Sequence, residues 1–357
     1  MSKRFGIPVA VLVLAVALFA PLISDDSDAA EQSFYMSQLD ENGCAVFNAL
    51  GGLLGNYSNT AEVGVKFDRI TLFEDEGSAR AYAGSVVDDA LAAKYYSEPL
   101  IPHLWDLPVS YPEVTVNISE ATLSDDPVKY YIVTGVSIIL SVPEDMQDDP
   151  NTDGNELEKK VNEVKEAVRS FSPSGGNDAD KVRSIAGHLK SVRAAEDAEG
   201  EVSNIYDAVV TKRSSSAGVA AAFTYYCMAN SIESVTVKGL VYDGSDSTVE
   251  YWNAVRTGGS WYAVDTVKYN QGNKAYLMAG SATQVVTGES PERFSTTHVA
   301  DLELSEPNGL NAPSLNRTEY PYPDDTPFLE KYGGWIILVL IIAIAAVFMV
   351  KAAKGDE

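Results

Sequence analysis

The chain has little cysteine, little histidine and a shortage of basic residues. Cys44 and Cys227 are its only cysteines among 357 residues. A disulfide framework of the kind that staples small secreted domains is therefore excluded, and neither cysteine sits in a zinc-ligand spacing. His103, His188 and His298 are the only histidines and stand far apart, so a His-based metal site has no basis, and neither metal nor cofactor is expected. Lys and Arg number 26 against 51 Asp and Glu, a net charge of -25. A chain of that sign cannot neutralise a phosphate backbone, which excludes nucleic acid as a partner. It keeps the protein soluble while saying nothing about its fold. The 45% hydrophobic content is that of a folded protein, and the length suits two modest domains or one large one with extensions.

Two uncharged apolar runs stand at the ends. Lys3-Arg4 precede residues 5–24, after which Asp25-Asp26-Ser27-Asp28 open the acidic body. This fits either a secretory signal peptide or an N-terminal membrane anchor over 1–24. Residues 335–350 carry no charge and lie between Tyr332-Gly333-Gly334 and Lys351 and Lys354. With the flanking small residues they reach the roughly 20 that a bilayer requires, so a transmembrane helix is expected over 332–353, with a short tail at 354–357. Basic residues remain on the cytoplasmic side, which puts the body of the chain outside the cell membrane. Asn56-Tyr57-Ser58, Asn117-Ile118-Ser119 and Asn316-Arg317-Thr318 are candidate glycosylation triplets for such a location.

Between these ends the hydrophobic pattern divides the chain. Asp40 can cap a helix whose face holds Leu39, Val46, Phe47, Leu50 and Leu54. Residues 62–73 alternate, with Val63, Val65 and Phe67 on one side, as in a half-buried strand. Residues 77–95 read as an alanine-rich helix, and His103-Leu104-Trp105 as the packing of an aromatic loop. Residues 128–142 are dense in Tyr, Ile and Val, which predicts a central strand. An acidic loop over 145–154 marks a boundary, so 25–154 form an N-terminal region. Leu157, Val161, Val164, Val168 and Phe171 then lie on one helical stripe. Asn177 or Asp178 caps a second helix with Val182, Ile185, Leu189 and Val192 inward. Short β-rich runs follow at 235–241, 249–255 and 261–264, the last two joined by Gly258-Gly259 as in a tight hairpin. Helices followed by an antiparallel sheet make the fold class α+β. Residues 286–331, rich in Pro, Asn and Ser, read as a stalk.

The richest pattern lies in 214–267: Ser214-Ser215-Ser216-Ala217-Gly218-Val219-Ala220, then Glu250-Tyr251-Trp252-Asn253, then Trp261-Tyr262-Ala263-Val264-Asp265. This order resembles the transglutaminase-like superfamily, a papain-related group. Its members carry Cys-x-Gly-Tyr-Ala at a helix start, His-x-Trp-Asn on a strand and Trp-Tyr-x-x-Asp on the next. The resemblance covers about residues 178–278 and implies a papain-like core over 155–285, helices packed on an antiparallel sheet. It places Ser216 at the nucleophile position, Glu250 at the position of the basic histidine and Asp265 at that of the orienting aspartate. Trp252, Asn253, Trp261 and Tyr262 become the residues lining a candidate binding cleft. Ser231 stands where the family has glycine.

Two of the three chemical letters are thus replaced. A serine hydroxyl is a weak nucleophile without a nearby base, and a carboxylate is a poor proton acceptor at neutral pH. Loss of single triad members costs on the order of 10⁴ to 10⁶ in turnover. None of the histidines follows the Trp-Asn or Trp-Tyr strands in a way that assigns it to the base position. Cys227 lies 11 residues along the helix on its apolar face, as a buried thiol. The expectation is a membrane-tethered, extracytoplasmic pseudoenzyme that binds a surface protein or peptide or builds an envelope assembly. The alternative is a hydrolase or acyl transferase using Ser216 with Glu250 and Asp265, and a third reading is a structural spacer.

Overall fold

The computed structural model describes residues 33–123, 126–148, 155–194, 203–244, 246–287, 290–304, 308–322, 337–339 and 341–342. The first apolar run, and all but five residues of 335–350, lie outside them. No helix of the described residues is long and apolar enough to cross a membrane.

The chain opens with α1 (Glu41–Gly51), started by Asp40, whose carboxylate accepts the Gly43 N–H at 2.7 Å. Val46, Phe47 and Leu50 are buried as expected, but Leu54 is exposed and Leu53 takes its place in the core. The helix ends at Gly51, so the 3.6-residue spacing no longer holds at Leu54. The expected strand at 62–73 is two: β1 (Thr60–Lys66) and β2 (Leu72–Phe73). α2 (Glu76–Ser97) follows, then the long hairpin of β3 (Glu113–Leu123) and β4 (Asp126–Ser141). β4 is central, with β1 and β2 along one side and β3 along the other, all antiparallel.

α3 (Glu156–Arg169) buries Leu157, Val161, Val164 and Val168, and α4 (Asp178–His188) buries Val182 and Ile185. Leu189 is buried just past α4, while Phe171 and Val192 lie beyond the helix ends and are half-buried. Asn177 caps α4 through the Asp180 N–H at 2.9 Å. The short β5 (Arg193–Ala194) pairs in parallel with β6 (Arg213–Ser214), across a π-helical turn at Asp207–Thr211. α5 (Ser216–Met228) then leads into the antiparallel strands β7 (Ser234–Asp243), β8 (Asp246–Thr257) and β9 (Ser260–Val264). Gly258 and Gly259, with φ of 57° and 80°, close the β8–β9 hairpin in the left-handed conformation that glycine adopts without cost. Ser231 holds φ 57° at the turn before β7, the position where the resembling family has glycine.

α2 is the hinge of the architecture. It touches both β4 and β7, so it lies between the two sheets. Ala79, Ala83, Ala90, Ala92 and Ala93 are buried around its circumference, and their small side chains let two sheets approach one helix. One hydrophobic cluster joins α1, α2 and β4 to Val235, Val237 and Trp252. A second joins Trp105 and Val142 to α3, α4 and α5. Both clusters contain residues from before and after 154, and the Tyr35 hydroxyl donates to Thr236 O at 2.9 Å. The acidic loop changes the sequence pattern without separating two cores.

Of the stretch expected as a stalk, the described residues 286–287, 290–304 and 308–322 pack onto the folded body. After α6 (Thr266–Asn270), β10 (Gln284–Thr287) pairs with β11 (Ser290–Arg293). α7 (Phe294–Thr297) then leads into β12 (His298–Ala300), which joins the sheet beside β7. Residues 308–322 follow as coil held by backbone bonds: Asn316 N–H to Trp261 O at 2.7 Å and Tyr320 N–H to Met278 O at 3.0 Å. Coil fastened through its backbone needs no periodic apolar face, which is why its composition read as linker.

His103 packs as the sequence suggests. It is buried, its Nε2 lies 2.8 Å from Ser58 O, and its Nδ1 is buried without a partner. The carbonyl accepts, so Nε2 carries the hydrogen, and a second proton would put charge on the buried Nδ1. Burial lowers the pKa of His103, and that of His188, from the ordinary 6.5. The unfolded chain then takes up protons that the folded one refuses, so stability is present above about pH 6.5 and declines as pH falls below it. The expected result is a melting temperature that drops between pH 7.5 and 5.5, with a shallower drop in His103→Asn; parallel pH profiles would refute the assignment.

Candidate active-site region

α5 begins with small residues because its first turn runs against other backbone. A side chain at Gly218 would overlap the Asn204 carbonyl oxygen and Ser214 Oγ. Val219 N–H closes the first turn on Ser215 O at 3.2 Å. Ser216 is thereby presented at the helix N-terminus, where a thiolate would be stabilised and a neutral hydroxyl gains little. Its Oγ accepts the Tyr251 N–H at 3.1 Å. The last β8–β9 pair is Asn253 with Val264, so Tyr251 lies two residues beyond the end of β9. Ser216 occupies that open ladder position and fastens α5 to β8.

Glu250 and Asp265 are drawn together by one residue not singled out by the sequence, Lys268. Asp265 is the N-cap of α6, its Oδ1 accepting the Lys268 N–H at 2.9 Å. The Lys268 ammonium lies 3.5 Å from Glu250 Oε1, and the Thr248 hydroxyl reaches the same oxygen at 3.1 Å. The spacing Asp-x-x-Lys, an N-cap and its N3 partner, was the available signal. Both carboxylates at the triad positions therefore have cationic or helix-end partners, and among the described residues no side chain accepts the Ser216 hydroxyl proton.

Asp265 does orient a histidine. Its Oδ2 lies 3.2 Å from His298 Nε2, and the pair is buried, Asp265 at 1% exposure and His298 at 5%. The sequence assigned no histidine to the base position, and it did not show this partner of Asp265: His298 enters from β12, 33 residues beyond Asp265, on a strand added at the far edge of β7. It is not free to act as a base. Its Nδ1 lies 2.9 Å from Thr297 Oγ1, so both ring nitrogens are engaged. Phe294 stacks on one face with ring centroids 4.0 Å apart, and Trp252 meets it edge-on at 5.1 Å. Tyr276 packs beside it, its hydroxyl pKa pushed up to about 12, first by burial and then by the charge of Asp265.

Of the four expected binding residues, three are buried. Trp252 is 4% exposed and packs on His298. Asn253 is fully buried, its amide donating to Ala220 O and Thr224 Oγ1, each at 2.9 Å, which locks α5 onto β8. Tyr262 is buried and accepts from Asn316 Nδ2 at 3.3 Å. Trp261 is half-buried, edge-on to Phe34 at 5.2 Å. Ser216 and Glu250, like Trp261, are half-buried. Cys227 is fully buried, and burial raises its pKa, which keeps the inert thiol form.

No family model matches the chain, and no curated protein sequence matches it. Among solved structures it is similar to a candidate cysteine protease from Cytophaga hutchinsonii, with 14% identity and a TM-score of 0.25, over 44% of this chain and 65% of that one. A TGase structure matches with 11% identity and a TM-score of 0.28, over 67% and 57%. A candidate protease from Parabacteroides distasonis matches with 10% identity and a TM-score of 0.23, over 57% and 39%. The chain spans less than two thirds of the length of each. The chain itself has a helix opening at Ser216, strands bearing Trp252-Asn253 and Trp261-Tyr262, and Asp265 just after the second. In that order the chain is similar to transglutaminase-like, papain-like proteins.

Proposed function

We propose that the protein is a transglutaminase-like pseudoenzyme, tethered to the cell membrane with its folded body outside, and that it works as a binding or envelope-assembly module. The observation that carries this reading is the commitment of all three triad positions. Ser216 takes a backbone N–H, Glu250 is paired with Lys268, and Asp265 is shared between a helix end and a buried histidine. A nucleophile needs a base within hydrogen-bond reach, and among the described residues no side chain accepts the Ser216 hydroxyl proton.

The tether is supported by the two apolar runs, and a polypeptide ligand by the resemblance alone. The test is activity together with fractionation. The purified protein is expected to leave Ser216 unlabelled by a fluorophosphonate probe and to turn over no peptide or ester between roughly pH 3 and 8. In membranes of its host it is expected to resist alkaline carbonate extraction. Acid-dependent turnover abolished by Ser216→Ala would establish the hydrolase reading instead, and release by carbonate would remove the tether.

A further inference from the structure

The three Asn-x-Ser/Thr triplets are alike in sequence and unlike in structure. Asn56 Oδ1 takes both the N–H and the hydroxyl of Ser58, at 2.9 and 2.7 Å, so that triplet is folded on itself. Asn316 spends its amide on the Tyr262 hydroxyl at 3.3 Å and Thr318 O at 3.0 Å. Its backbone is fastened on both sides, to Trp261 and to Ser281. Substituting the Asn316 nitrogen would break its contacts, while Asn56 is half-buried with its amide oxygen held in the turn at Ser58.

Asn117 differs on each count. It is exposed, its side chain has no hydrogen bond among the described residues, and its neighbours Val116 and Ile118 pack toward the core. Alternation along β3 thus aims Asn117 and Ser119 away from the core, toward water. The residue opposite Asn117 on β4 is Gly135, which has no side chain to crowd the amide. β3 pairs with β4 alone among the described strands, so its other edge is open over the 11 residues of the strand. An open edge of that length is a template for pairing with further chains, and natural proteins blunt such edges. β3 has no proline, and among the described residues no second strand pairs with it.

We propose that Asn117 is the N-glycan acceptor of this protein and that its glycan covers the open edge of β3. The proposal rests on the extracytoplasmic placement of the body given above. The donor would be a sugar linked through phosphate to a membrane lipid. Asn117 Nδ2 forms the bond to the anomeric carbon, the bond from that carbon to the phosphate oxygen breaks, the lipid phosphate leaves, and the amide gives up one proton. A bulky, soluble group at this site points into solvent and disturbs no contact.

The test uses the full chain purified from membranes of its host, with peptide mass spectrometry across all three triplets. The expected result is a glycopeptide at Asn117, unmodified Asn56 and Asn316, and loss of the added mass in both N117Q and S119A. A membrane-impermeant maleimide applied to intact cells carrying Ser247→Cys, at the exposed end of β8, reports the location independently, with the unsubstituted chain as background. Labelled cells with a bare Asn117 would overturn the acceptor while leaving the location standing. Unlabelled cells with a bare Asn117 would overturn the location and the acceptor with it. Sugar on Asn56 or Asn316 would overturn the selection by geometry.

Discussion

Asp265→Ala is expected to lower the stability of the protein by about 2–4 kcal/mol, the sum of a lost helix cap and a buried polar group left without a partner. Two losses combine. The first turn of α6 loses its cap, which costs about 1 kcal/mol, and His298 keeps a buried Nε2 with nothing to bond. Asp265→Asn separates this from a charge effect. The asparagine oxygen can still accept the Lys268 N–H, and its amide can donate to Nε2 if the imidazole hydrogen moves to Nδ1, where Thr297 Oγ1 can accept. Every group remains satisfied, so the cost should fall to about that of one ordinary hydrogen bond, roughly 1 kcal/mol. Urea unfolding of the purified variants measures both. Equal losses in the two would show that the carboxylate charge, and not the bonding pattern, holds the pair together.

The same pair shows where the sequence stops being legible. α3 was readable because its stripe is local, and the β8–β9 hairpin because Gly258-Gly259 fixes its turn. β4 could be placed at the centre because Ile138-Ile139-Leu140 is apolar on both faces. Ser216, Glu250 and Asp265 were readable as positions in an order of elements, and the molecule does gather them where β9 ends and α6 begins. What the order could not give was their partners. His298 meets Asp265 only because β12 returns beside β7 after the β10–β11 hairpin, a tertiary route with no fixed spacing. Lys268 was closer to hand, three residues beyond an aspartate that had to cap something. Burial was the other hidden quantity. Trp252 and Asn253 look like a recognition pair in sequence, yet one packs on His298 and the other on α5. Letters that read as recognition residues in sequence are accounted for here by packing alone.

Gly218 makes that point by experiment. It stands where the resembling family has the glycine of its nucleophile motif, so its presence could be taken as a trace of catalysis. The packing gives a sufficient reason of its own: a methyl group there would meet the Asn204 carbonyl and Ser214 Oγ, and the carbonyl belongs to backbone that cannot rotate away. Overpacking of this kind costs typically 1–3 kcal/mol and occasionally more, so Gly218→Ala is expected to destabilise by about 3 kcal/mol. Gly84 is the matched control, a second glycine inside a helix, with nothing within 4 Å of the position its Cβ would occupy. There the alanine has the higher helix propensity and no clash, and should stabilise by up to about 1 kcal/mol. Thermal unfolding of the two variants should therefore move in opposite directions. A neutral Gly218→Ala would mean that α5 can withdraw from Asn204 without loss, and the close approach that presents Ser216 to β8 would no longer account for the glycine.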